Sequence, residues 1–287
     1  MKKIGIIAKD IPVAHSAVRK LAKWLASRGK TVLLDKATAA AVGREGVATR
    51  SLPAQADMII VLGGDGTLLS AARLVAGAKK NVPIFGVNLG SLGFMAEVSL
   101  NELYANLAKA LAGKLRAEER MMLTASVIRG GKRISSSTVL NDAVVSKGAL
   151  GRMVSLEVSV GDDRLTSIRA DGLILATPTG STAYSLSAGG PIIHPAVHCF
   201  VLTPICPHTL SHRPIAIPDA SVVQVKLASR SEGVSLALDG QVVTMLRQGD
   251  VVEVRKAKKR IKLIKHPTKD YYEILRTKLK WGNFPVM

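Results

Sequence analysis

From Lys2 to about Lys114, short apolar runs alternate with longer stretches of helical period. Ile4 to Ala8, Thr31 to Leu34, the run from Asp57 through Met58 to Leu62, and Val82 to Val87 read as strands; Ala14 to Arg28, Thr67 to Ala76 and Asn101 to Ala112 read as helices. Apolar strands separated by amphipathic helices predict a parallel, Rossmann-like sheet covered on both faces. Ligands in such sheets bind beyond the carboxyl ends of the strands. The glycine-bearing segments Gly63 to Gly66 and Asn88 to Phe94 both fall at such ends and are expected to face one crevice.

After Glu118 the period shortens. Leu123 to Ile128, Ser137 to Val145, Met153 to Val160, Gly172 to Thr177, Val222 to Leu227, Val234 to Leu238, Val251 to Val254 and Arg260 to Ile264 read as strands between turns, and Tyr271 to Lys280 is helical again. The expected organisation is therefore an α/β domain over 1–118, a mostly-β domain over 119–266, and a C-terminal helical tail over 267–287 that packs back on the first domain. No internal repeat or low-complexity linker interrupts it.

Composition narrows the class. The chain has 287 residues, 47% of them hydrophobic, which is enough for two cored domains. No apolar run approaches the roughly 18 residues a membrane span needs, and Lys9 and Asp10 interrupt the opening apolar run too early for a signal peptide; the expectation is a soluble cytoplasmic protein. Cys199 and Cys206 fall in a loop-like, Pro-containing segment and support neither a disulfide framework nor a zinc site. His194 and His198 have helical spacing, but Pro195 between them argues against a metal pair. The net charge of +19, from 40 basic and 21 acidic side chains, attracts polyanions. With 3% aromatics and none within Arg255 to Lys262, that basic run reads as a solvated strand face more readily than as a nucleic-acid platform.

The chemistry concentrates in three places. In Val61-Leu62-Gly63-Gly64-Asp65-Gly66-Thr67-Leu68-Leu69 an apolar strand runs through glycines into a helix, with one carboxylate among them. Glycine permits positive φ and close backbone approach to a ligand, and a helix start favours phosphate. Asp65 is either a helix cap or a base. The run lacks the spacing of the dinucleotide fingerprint and the Lys-Ser/Thr of the P-loop. Thr177 to Pro191 holds six Ser/Thr hydroxyls, Tyr184 and three glycines; it is either a polar ligand wall or a turn that caps a short helix. Asn141-Asp142 interrupts an apolar run, so these polar groups need partners, from a ligand or within a bulge. Asp239-Gly240 reads as a hairpin turn.

Gly63-Gly64-Asp65-Gly66-Thr67, Asn141-Asp142, Arg169 through Pro191, Pro207 to Pro214 and Asp239-Gly240-Gln241, taken in order, resemble the bacterial NAD kinases over almost the whole chain. The first motif alone also looks like diacylglycerol or sphingoid lipid kinases and is related to phosphofructokinase loops. The Thr177 to Pro191 block looks like NAD kinase and not its lipid-kinase relatives. The resemblance implies transfer of the γ-phosphate of ATP, with a divalent cation such as Mg2+, to the 2′-hydroxyl of the adenosine ribose of NAD. It implies Asp65 as general base, Gly63, Gly64, Gly66 and Thr67 around the phosphates, and Asn141 and Asp142 on the adenosine. Arg152, Arg169 and Asp171 would line the dinucleotide site, and Thr182, Ala183, Tyr184, Ser185, Leu186 and Ser187 would wrap it. Gln241 would close it. No residue of the chain is assigned as a metal ligand, a homodimer or homotetramer is implied, and neither membrane nor nucleic acid is an expected partner. Many members carry Asn-Glu where this chain has Asn141-Asp142.

Overall fold

The Lys3–Ala8 strand pairs in parallel with Thr31–Leu34 on one side and Met58–Gly63 on the other, and Met58–Gly63 pairs in parallel with Ile84–Asn88. The computed structural model describes residues 1–90, 92–148, 152–230 and 232–281. It divides the chain into two units, one of Met1–Glu119 with the chain from Ile261 onward, the other of Arg120–Arg260.

In the first unit, alternation along the strands sorts side chains to two faces. Ile4, Ile6, Met58, Ile60, Leu62, Phe85 and Val87 meet the Pro12–Ala26, Lys36–Val42 and Leu103–Leu111 helices in one core. The first of these helices opens on Pro12, whose missing N–H costs nothing at that position, and buries Ala14, Ala17, Val18, Leu21, Ala22 and Leu25 at helical spacing. Its end at Ala26, short of the expected Arg28, precedes Gly29 at φ +67°. The Lys36–Val42 helix, which the hydrophobic pattern did not announce, is capped by Asp35, whose carboxylate accepts from the Thr38 N–H. On the opposite face Gly5 meets Leu52, and Gly86 faces Leu68 of the Asp65–Gly77 helix so closely that a Cβ would lie 2.8 Å from Leu68 Cδ1.

The expected boundary at 266 is corrected here. Ile261–Ile264 does not continue the β-rich part; it pairs in parallel with Ile84–Asn88 and carries the first sheet on to Ala117–Arg120. Ile261 and Leu263 are buried while Lys262 between them is partly exposed, an alternation that reads equally well as a half-exposed antiparallel strand. The Tyr271–Leu279 helix follows it and belongs to the same unit.

The described residues of the second unit form two six-stranded antiparallel sheets. One runs in the order Asp163–Ala170, Val154–Val160, Val222–Leu227, Val251–Lys256, Leu123–Arg129, Lys132–Val139; the other runs Ile215–Pro218, Cys199–Ile205, Gly172–Ala176, Asp142–Ser146, Ser235–Leu238, Val242–Met245. Inward residues of both, among them Val127, Leu156, Val225 and Val254 from the first and Ala143, Val145, Leu175, Phe200 and Leu236 from the second, share one core, as in a sandwich. The reverse face of the second sheet presents Val144, Ile174 and Ala176 to the 183–190 segment. Two expectations change. The single run Ser137 to Val145 is two strands parted at Leu140-Asn141, and Cys199, expected in a loop, begins a strand and is buried.

Replacing Ile261, fully buried in the first sheet, by Ala is expected to cost about 3 kcal/mol, the usual size of a large-to-small core change. Urea unfolding should show the loss in the transition of the first unit, while the second keeps its midpoint.

Candidate active site

Three neighbouring parallel strands end side by side at one edge of the first sheet. The Lys9 N–H donates to the Leu62 carbonyl, and the Leu89 N–H to the Gly63 carbonyl, so the residues just past each strand are held together. They line a cleft of about 330 Å³ formed by Lys9, Ile11, Gly63 to Asp65, Asn88 to Gly90, Leu92, Gly93 and Lys278. Both glycine-bearing loops thus meet at one crevice, as their positions after strands implied.

Glycine serves close approach here and not left-handed backbone. Gly63 and Gly64 both lie outside the positive-φ region, with Gly64 at φ −111° as the N-cap of the Asp65–Gly77 helix. A Cβ at Gly63 would lie 2.4 Å from Thr67 Oγ1, so Thr67 packs onto the strand end and is not among the cleft residues; Gly64 opens onto free space.

Asp65 is not the N-cap, and its carboxylate turns to the following loop. Oδ2 accepts the Phe94 N–H at 2.9 Å, and Oδ1 accepts those of Met95 and Ala96, each at 3.1 Å. A Cβ on Gly93 would lie 2.3 Å from Oδ1, so glycine there leaves room for the carboxylate. A carboxylate offers about four lone-pair sites. The two bonds on Oδ1 fill that oxygen, and Oδ2 retains one position.

A second cavity, about 300 Å³, lies on the reverse face of the sandwich and is lined by Asn141, Asp142, Val144, Ser146, Ala183, Tyr184, Ala237, Asp239 and Gly240. Its architecture hangs on Asp239. Asp239 and Gly240 hold φ +50° and +63°, the mirror-image hairpin turn that Asp-Gly foretold, joining Ser235–Leu238 to Val242–Met245. Sequence reading missed that the Asp239 carboxylate, only 7% exposed, accepts from the N–H groups of Leu140, Asn141 and Asp142 at 3.2, 2.8 and 3.3 Å. This holds the break between two strands open and places Asn141 and Asp142 on the cavity. Asn141 Oδ1 is buried with no hydrogen-bond partner among the described residues. Burial, and after it the charge of Asp239, push the Asp142 carboxyl up to about 7.

The Thr177 to Pro191 block divides between its two readings. Thr177 Oγ1 donates to the Leu140 carbonyl at 2.6 Å and accepts the Gly180 N–H; Ser181 Oγ donates to the Pro178 carbonyl; Ser185 Oγ and Thr203 Oγ1 are 2.8 Å apart. Thr182 Oγ1 donates to the Thr179 carbonyl. These hydroxyls fold the turn and the short Tyr184–Ser187 helix, and Ala183 and Tyr184 alone from 177–191 line the cavity, Tyr184 being 47% exposed. Leu186 is half-buried and Ser187 exposed, neither lining it. Asp171 is ion-paired to Lys147 at 2.9 Å. Arg152, Arg169 and Gln241 are exposed and stand outside this lining, as Gly66 and Thr67 stand outside the first cleft. Lys9 and Lys278 were not singled out from sequence, because only the strand order brings them to the cleft.

This fold is that of a two-part nucleotide kinase. The chain aligns over its full length, and over 90% of the other, with a crystal structure of yeast NADH kinase complexed with NADH, at TM-score 0.92 and 24% identity. It aligns over 96% of its length with an NAD kinase from Archaeoglobus fulgidus in complex with ATP, at TM-score 0.77 and 24% identity, covering 98% of that chain. Residues 4–115 match the model of the ATP-NAD kinase N-terminal domain and residues 140–266 that of the ATP-NAD kinase C-terminal domain. The NAD kinase of Geobacter sulfurreducens is 51% identical over 284 residues and that of Geobacter metallireducens 52% over 283, each spanning 98% of this chain and 99% of the relative. The chain therefore belongs to the NAD kinase family, which are ATP-dependent kinases.

The raised Asp142 carboxyl has a signature in stability. A group whose folded value is raised from 3.8 to about 7 contributes stability fully present below the lower value and lost as pH rises through the higher one. In Asp142→Asn that downward slope between about pH 4 and 7 is expected to vanish, measured by thermal melts across the range without ligand.

Proposed function

We propose that this kinase transfers the γ-phosphate of ATP to the 2′-hydroxyl of the adenosine ribose of NAD, giving NADP, with Asp65 as general base. The observation that carries the reading is the Asp65 carboxylate at the cleft, fixed by three consecutive N–H groups with one position on Oδ2 open. A ribose hydroxyl is weakly acidic, so its proton leaves late in a loose phosphoryl transfer, and a held carboxylate need only accept it at that moment. Oδ2 is the oxygen with the capacity to do so.

The phosphates of ATP belong to the Gly63 to Thr67 turn, with Gly64 offering backbone unshielded by a side chain and the helix N-terminus favouring negative charge. The adenosine of NAD belongs to the second cavity. Its amino group is a donor for the buried Asn141 Oδ1, its ribose diol suits the Asp142 carboxylate, and Tyr184 offers a ring face. Arg152, Arg169, Asp171, the 182–187 segment and Gln241 complete the dinucleotide site in this reading.

Among the described residues, no group of three or more His, Cys, Asp or Glu side chains is arranged to hold a metal. Magnesium keeps several waters and binds largely through substrate phosphates, so an ion delivered with the nucleotide needs no such group, and Asn88 at the cleft would be its protein contact while Asp65 keeps its open position for the ribose proton. Such an ion supplies charge neutralisation on the phosphates. No helix among the described residues is long and apolar enough to cross a membrane, and we place the enzyme in the cytoplasm as a homodimer or homotetramer. The Val242–Met245 strand is the last in its sheet and exposes Val243 and Met245 at 62% and 57%, which suits such an assembly.

The purified chain should form NADP from NAD, ATP and Mg2+, read through an NADP-specific dehydrogenase. Asp65→Asn should lower kcat by about 10²- to 10⁴-fold, the range of general-base catalysis, with NAD affinity retained. An unchanged rate would remove Asp65 from the chemistry. NAD affinity should rise as pH increases through about 7, because donors on the ligand favour ionised Asp142; Asp142→Asn should flatten that profile in a titration calorimeter.

A further inference from the structure

Because Ile261–Ile264 runs parallel to Ile84–Asn88, the chain leaves it at the same edge of the sheet as the glycine turn. The Tyr271–Leu279 helix that follows buries Ile274 and Leu275, and Lys278, four and three residues further on, lies on the same helix face. There it lines the cleft together with Gly63, Gly64, Asp65 and Asn88.

The charges of this cleft do not cancel. Asp65, the one acidic side chain among the described residues of its lining, accepts three backbone N–H groups, while Lys9 and Lys278 both stand in the lining and neither pairs with a carboxylate among the described residues. The N-terminus of the 13-residue Asp65–Gly77 helix adds positive potential at the same place. Such a site suits an anion of several charges. The two lysines differ in readiness: Lys9 is exposed, whereas Lys278 is half-buried, with Nζ 5.8 Å from the centroid of the Phe94 ring. Phe94 also donates one of the N–H groups that fix Asp65. An ammonium held over an aromatic face and partly withdrawn from water gives up less hydration and side-chain freedom on meeting a phosphate.

We propose that Lys278 is a phosphate-contacting residue for the nucleoside triphosphate donor, so that the C-terminal helix completes the donor site. The proposal rests on the reading of this cleft as the donor's phosphate site. A lysine acts on phosphate as a point charge. A hydrogen bond to a charged group is worth about one to two factors of ten in affinity.

The test compares wild type, Lys278→Met, which keeps length without charge, and Lys278→Arg, with inorganic triphosphate as competitive probe. Lys278→Met should raise KM for ATP about tenfold and weaken triphosphate inhibition by the same factor, leave KM for NAD within about twofold, and keep the wild-type Tm; Lys278→Arg should recover most of the loss. Unchanged ATP and triphosphate constants in a folded Lys278→Met would overturn the role of Lys278 and leave the donor-site reading intact. Equal losses for both substrates with a lowered Tm and no recovery by Arg would assign Lys278 to packing alone. Failure of triphosphate to compete with ATP in the wild type would sink the donor-site reading, and this proposal with it.

Discussion

A carboxylate enclosed by successive backbone N–H groups organises each unit. Asp65 gathers the amides of Phe94, Met95 and Ala96; Asp239 gathers those of Leu140, Asn141 and Asp142. In one case the clamped segment lies outside any strand and in the other it is the break that ends at the first residue of Asp142–Ser146, and these N–H groups would otherwise need water or a ladder partner. A charged acceptor satisfies several of them at once and more strongly than a neutral one. The result is irregular backbone with the rigidity of secondary structure, which a binding site needs and a free loop lacks.

The two clamps differ in what they leave over. Asp65 is only partly buried and keeps an open position on Oδ2, so it organises its loop and still offers an acceptor to the cleft. Asp239 is buried and serves structure, and its charge adds to burial, the larger cause, in raising the Asp142 carboxyl beside it. One residue type, set in the same geometry, is therefore an open acceptor in one place and an electrostatic influence in the other, and burial decides which.

Much of this was legible in the chain. The change from helical to alternating period near Glu118 marks where the parallel sheet gives way to β structure, and the placement of both glycine loops after apolar strands located the cleft. What was hidden is hidden for physical reasons. Glycine signals that a side chain is forbidden but not why: at Gly63 the reason is Thr67, at Gly93 the Asp65 carboxylate, and at Gly180 the Asn141 carbonyl, which a Cβ would approach to 2.2 Å. Asp239 looked like a turn residue because its turn geometry accounts for it fully, and its second task depends on a segment about a hundred residues away. Ile261-Lys262-Leu263 carries no mark of its sheet, since alternation encodes exposure and not the identity of the neighbouring strand. With that strand misplaced, Lys278 could not be connected to the cleft.

The first unit is discontinuous in sequence, and that gives its assembly an order in time. The ribosome makes the 141 residues from Arg120 to Arg260 (260 − 119 = 141) between the two parts of the first sheet, an interval on the order of ten seconds at usual elongation rates. The sandwich is contiguous and can complete its core as it emerges. In the first sheet Val98–Ser99 pairs with the Val87-Asn88 end of its neighbour, but the Ile84 end meets Leu263 only after the sandwich has been made. A chain made only as far as Arg260 thus holds every described residue that lines the cavity at Asn141 and Asp142 while still lacking Ile261–Ile264 and, beyond it, Lys278, which the cleft at Asp65 needs for its lining.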